Sequence, residues 1–137
     1  MKQKAIYFAL LIMSIGFLSC SSDNPINTIT FTNSASAAVS VNFRGTLIEI
    51  SVGESAELTN ILDGEYEYET AFTLPAGITE FEAGEQMAGI LDMQAGTTAL
   101  VYYVGAIDQE GKYFIDATVT TSNNLAEDGF LGNPIGN

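Results

Sequence analysis

Along most of the chain apolar and polar residues alternate with a period of two, the spacing at which successive side chains of a strand point to opposite faces of a sheet. In 28–32 (TITFT) this puts Ile29 and Phe31 on one side, and 38–43 (AVSVNF) does the same with Val39, Val41 and Phe43. Arg44-Gly45 marks a turn into 46–52 (TLIEISV), where Ile48, Ile50 and Val52 share a face opposite Glu49 and Ser51, and Gly53 ends the run. A shorter strand is predicted at 55–59. Asp63-Gly64 then signals a tight turn, because glycine readily takes a positive φ. The clearest alternation follows in 65–74 (EYEYETAFTL): Tyr66, Tyr68, Thr70, Phe72 and Leu74 face one way, and Glu65, Glu67 and Glu69 the other. Pro75-Ala76-Gly77 stops it. Residues 78–86 read as a loop or a ragged edge strand and 87–93 as a further strand. Segments 97–107 (TTALVYYVGAI) and 112–121 (KYFIDATVTT), joined by DQEG, read as a hairpin, and the polar run 122–137 as a tail.

About seven to nine short strands, with no helical period in the body of the chain, predict an all-β fold: an antiparallel β-sandwich over residues 28–121. A length of 137 residues suits one such domain with a core of its own.

The amino terminus departs from this pattern. Lys2 and Lys4 precede an uncharged apolar run, 5–17 (AIYFALLIMSIGF), and small Ser19 stands before Cys20, the only cysteine. As a helix that run would be about 20 Å long, short of the roughly 30 Å of a bilayer's hydrocarbon. A positive start, a short apolar centre and a small residue at the boundary make an export signal over residues 1–19. The polar SSDN after the cysteine then begins a tether over 20–27.

FLSC, residues 17–20, resembles the lipobox of bacterial lipoproteins, although the usual leucine three places before the cysteine is Phe17 here, with Leu18 next. The resemblance implies cleavage between Ser19 and Cys20 and a diacylglyceryl thioether on Cys20. Two acyl chains hold a protein stably at about 0.8 kcal/mol per buried CH₂, without any basic patch. Ser21 after the cysteine resembles the outer-membrane class, and the SCSSDN run resembles lipoproteins of Bacteroidetes. The implied address is the cell envelope, with the periplasmic and surface faces both open. Segment 52–68 is similar to the hairpin of transthyretin-like and carboxypeptidase-regulatory-like accessory domains. An immunoglobulin-like strand order fits the alternation equally well.

Charge narrows the partners. With residues 1–19 removed, Arg44 and Lys112 alone face 17 acidic residues. Such a body lacks the cations that replace counterions on phosphates, so no nucleic acid is expected as a partner. The expected partners are the membrane, through lipidated Cys20, and envelope proteins or glycans.

Catalytic parts are equally scarce. Without histidine there is no Ser-His-Asp or Cys-His arrangement and no His-based metal site. Glu65, Glu67 and Glu69 follow one another at about 7 Å along a strand. A row turned to solvent does not raise a carboxyl pKa as a glycosidase acid requires, and its spacing is too wide for one calcium ion. Glu80, Glu82 and Glu85 beside Gly84 form a looser acidic cluster, for which weak calcium binding stays open. No enzyme, cofactor or metal site is therefore expected. Without tryptophan, the rings available for stacking on a sugar are Tyr66, Tyr68, Tyr102, Tyr103, Tyr113 and Phe114. Alternation assigns Tyr66 and Tyr68 to the core and turns adjacent Tyr102 and Tyr103 to opposite faces, so that one is exposed if the other packs inside. The expected role is binding or structural. The alternative is carbohydrate binding through Tyr102, Tyr103, Glu65, Glu67 and Glu69.

Overall fold

The computed structural model describes residues 26–122. The predicted signal (1–19), Cys20 and the tail beyond Ser122 lie outside the described residues. Among the described residues nine strands form two facing sheets: β1 (Asn27–Ala35), β2 (Val39–Phe43), β3 (Thr46–Ile50), β4 (Ser55–Ile61), β5 (Gly64–Phe72), β6 (Phe81–Ala83), β7 (Ala88–Met93), β8 (Thr98–Ile107) and β9 (Tyr113–Thr121). The first sheet has the order β4-β1-β8-β9-β6 and the second β3-β2-β5-β7. The described residues form an all-β sandwich.

Alternation places the core. Ile29, Phe31, Ala99, Val101, Tyr103, Tyr113 and Ile115 point inward from the first sheet, and Val39, Val41, Phe43, Ile50, Tyr68, Leu91 and Met93 from the second. The sheets interlock through aromatic edges: Phe31 packs against Phe43 at 6.0 Å and Phe72 against Tyr113 at 6.0 Å between ring centroids. A buried side-chain hydrogen bond crosses between them, Thr70 Oγ1 to Tyr103 Oη at 2.7 Å.

Asn33 is fully buried on the inward face of β1. Its amide donates to the carbonyls of Ala37 (2.9 Å) and Ile50 (3.0 Å), and its Oδ1 accepts from the Ala35 amide (2.9 Å). Three backbone groups at the crossing from one sheet to the other are satisfied by this single side chain.

Turn chemistry agrees with the sequence. Arg44 (φ 54°) and Gly45 (φ 76°) both have positive φ, as a two-residue hairpin whose turn follows the strand twist requires. Asp108 Oδ1 accepts from the amides of Glu110 and Lys112, both at 2.9 Å, and so shapes the β8–β9 link.

Residues 78–86 supply the expected short edge strand, β6, and the start of a one-turn 3₁₀ helix, Glu85–Met87. Two features differ from the expectation. Five strand pairings among the described residues are antiparallel, but β1 runs parallel to β8 and β6 parallel to β9. Val52 and Leu74 lie beyond the ends of β3 and β5 and are exposed rather than joining the core. A strand pattern continues past the last ladder hydrogen bond, so periodicity overruns the element.

The two ends of the sandwich differ. At one end β1 begins, with Asn27 opposite Ile61, Thr28 opposite Thr98 and Thr121 opposite Ala99. This entry end carries Ile26, Leu62, Asp63, the turn 94–97 and Ser122. The far end carries the connections 36–38, 51–54, 73–80 and 108–112, with Glu54, Glu80, Asp108 and Glu110.

Candidate functional site

The two outer faces differ most along their central strands. On the first sheet the outward side chains of the three central strands are Thr28, Thr30, Thr32 and Ser34 on β1, Thr98, Leu100, Tyr102 and Val104 on β8, and Phe114, Asp116, Thr118 and Thr120 on β9. Asp116 alone is charged. Its Oδ1 accepts from the Ala117 amide at 2.8 Å, and its carboxylate fills the space that a side chain on Gly84 would need. The rest is hydroxyl or apolar. Tyr102, 37 % exposed, lies between Thr32 and Thr118 in register. Phe114, 43 % exposed, sits opposite Ala106, four residues farther along β8 and so about 14 Å from Tyr102.

The second sheet presents Glu49 on β3, Glu65, Glu67 and Glu69 on β5, and Asp92 on β7. The Arg44-Gly45 turn ends opposite Tyr68, so β2 does not flank β5 over residues 64–67. The step leaves an open depression of about 750 Å³ lined by Asn42, Arg44, Glu65, Glu67, Glu69 and Ile90. Arg44 stacks over the Tyr66 ring at 5.4 Å, and Tyr66 Oη donates to the Leu62 carbonyl at 2.8 Å.

This geometry separates the residues proposed for one ligand. Tyr102 and the row Glu65, Glu67, Glu69 lie on opposite outer faces, so they form no common site. Tyr103 is fully buried and bonded to Thr70, which removes it from any surface platform. Burial pushes its hydroxyl well above the ordinary tyrosine pKa, the Thr70 hydrogen bond lowering it slightly and Tyr68 raising it. Burial raises Tyr68 and Tyr113 as well. Tyr68 donates to the Gln86 carbonyl at 2.8 Å. Tyr113 Oη, near the backbone of Ser36 and Ala37, makes no well-formed hydrogen bond.

Of the looser acidic cluster, Glu82 is taken by Lys112, whose Nζ lies 2.7 Å from Oε2 and whose pKa is raised by that carboxylate. Among the described residues no three acidic, cysteine or histidine side chains converge as metal ligands, and no helix is long and apolar enough to cross a membrane.

The surroundings of Tyr102 are not legible in the sequence. Leu100 and Val104 share its outward phase, and threonines flank it on both neighbouring strands. The phase of β8 was visible, but its neighbours depend on strand order. No protein-family model matches the chain, and no curated protein matches its sequence.

Proposed function

We propose that this chain is an exported, lipid-anchored protein of the cell envelope whose sandwich has a binding or structural role. The observation that carries the reading is the position of Cys20. It closes an export-signal pattern and stands seven positions before Asn27, where β1 begins. A cysteine there is modified at the membrane while the domain folds beyond it. The strongly acidic body is compatible with this address because the attachment is covalent and hydrophobic rather than electrostatic. No catalytic role belongs to the reading: the chain has no histidine, and its carboxylate row faces solvent. Mass spectrometry of the mature protein tests it. The expected species begins at Cys20 and carries a diacylglyceryl thioether, and a Cys20→Ala variant leaves the membrane fraction. An unmodified Cys20 overturns the reading.

A second reading, carbohydrate binding, is favoured by the exposed Tyr102 between the hydroxyl-bearing side chains of β1 and β9. Such a face would suit a neutral polysaccharide better than an acidic one. Affinity measurements on amylose, xylan, mannan and cellulose test it, with Tyr102→Ala expected to weaken binding by roughly tenfold, or about 1.4 kcal/mol. Equal binding by the variant counts against that face.

A further inference from the structure

Two of the most exposed aliphatic side chains stand at the entry end. Leu62, in the β4–β5 connection, is 74 % exposed and Ile26 is 61 % exposed. The pairing of Asn27 with Ile61 carries one step outward to set Ile26 opposite Leu62. Single exposed aliphatics are ordinary on a protein surface, but this pair stands where the chain enters the fold.

The carboxylates of this end, Asp63, Glu65 and Asp92, are few, and two of them accept hydrogen bonds. Its turn 94–97 (QAGT) is uncharged. Asp63 Oδ1 accepts from Asn27 Nδ2 at 2.9 Å, and Asp92 Oδ2, just before the turn, accepts from Gln94 Nε2 at 3.2 Å. Asn27 in turn accepts from the Thr97 amide at 3.0 Å, so one buried side chain braces the whole end. Most of the loop carboxylates, Glu54, Glu80, Asp108 and Glu110, stand at the far end.

We infer that the entry end seats on the bilayer, with Ile26 and Leu62 inserted at the headgroup boundary. The inference rests on the lipid anchor proposed above. Seven residue steps from Cys20 to Asn27 reach at most about 25 Å when fully extended, so an anchored domain remains close to the surface and meets it with this end. The seat is shallow: two aliphatic side chains strengthen an attachment that the acyl chains already provide. Lipids without net charge favour it, since anionic headgroups repel Glu65 and Asp92 nearby.

The test uses the full lipidated protein in phosphatidylcholine vesicles. With Cys20 consumed by its thioether, a single fluorophore is placed at Ala95→Cys in the entry-end turn or at Gln109→Cys at the far end. Mass spectrometry of each preparation first reads the lipid on Cys20. The label at 95 is expected to be severalfold less accessible to aqueous iodide than the label at 109, and to be quenched by a nitroxide carried in the lipid. Ile26→Ser with Leu62→Ser, both at exposed positions, should abolish that difference while the protein stays vesicle-bound. Equal iodide quenching at 95 and 109 in lipidated protein, or shielding that persists in the serine variant, overturns the seat and leaves the anchor standing. A Cys20 without lipid overturns the anchor and the seat with it.

Discussion

Two buried tyrosines on neighbouring strands of one sheet have hydroxyls with different surroundings, and their removal should have different costs. Tyr103 Oη bonds Thr70 across the core, so Tyr103→Phe strands the threonine hydroxyl and costs about 1–3 kcal/mol. Tyr113 Oη has no such partner to lose, and Tyr113→Phe should leave stability nearly unchanged. Urea denaturation of the two variants measures the contrast. The same hydroxyls govern behaviour in alkali. Burial raises the native pKa of Tyr103, Tyr68 and Tyr113, whereas in the unfolded chain they ionise near 10. Their contribution is therefore intact below about pH 10, and it is lost as pH rises toward the native values, because the unfolded chain sheds these protons first. Thermal scans from pH 8 to pH 12 should show the midpoint falling above about pH 10, less steeply in Tyr103→Phe.

At the level of strands, the sequence revealed where chain is extended and which side is wet, but not which strand lies next to which. Glu65, Glu67 and Glu69 could be read as a solvent row and Tyr68 as core because a period of two is a local property. The parallel neighbours β1 and β8 could not, since nothing in 28–32 specifies a partner seventy positions away. Tyr102 and Tyr103 were ambiguous for a related reason. Leu100 and Val104 make the outward phase of β8 as apolar as its inward phase, and only the fold decides which ring is covered. Asn33 carries a signal in the sequence itself: it is a polar residue in phase with Ile29 and Phe31, and a buried polar group needs partners. Gly105 tests how closely these strands approach. A Cβ there would lie 2.6 Å from Tyr113 Oη, 3.0 Å from the Phe114 carbonyl oxygen and 3.1 Å from Ala35 Cβ. The Phe114 backbone cannot readily yield, so Gly105→Ala should cost about 1–3 kcal/mol by calorimetry.

For the molecule as a whole, charge is distributed by face and by end. The outward carboxylates of the second sheet stand side by side with Arg44 as the nearest cation, and that self-repulsion favours the expanded chain. Raising sodium chloride from 0.01 to 0.1 M shortens the screening length from about 30 to about 10 Å, and the thermal midpoint should rise. Replacing Glu65, Glu67 and Glu69 with glutamine should flatten that response, and a midpoint independent of salt would contradict it. The central place of β1, between β4 and β8, also bears on how the molecule is made. A polypeptide delivered amino end first holds this strand with one flank bare until β8 arrives, and the Thr97 amide then reaches Asn27 across 70 residues. Such distant closure makes assembly slow and concerted. In the interval the bare flank of β1 is open to other chains, a hazard of aggregation that this strand carries only until β8 docks.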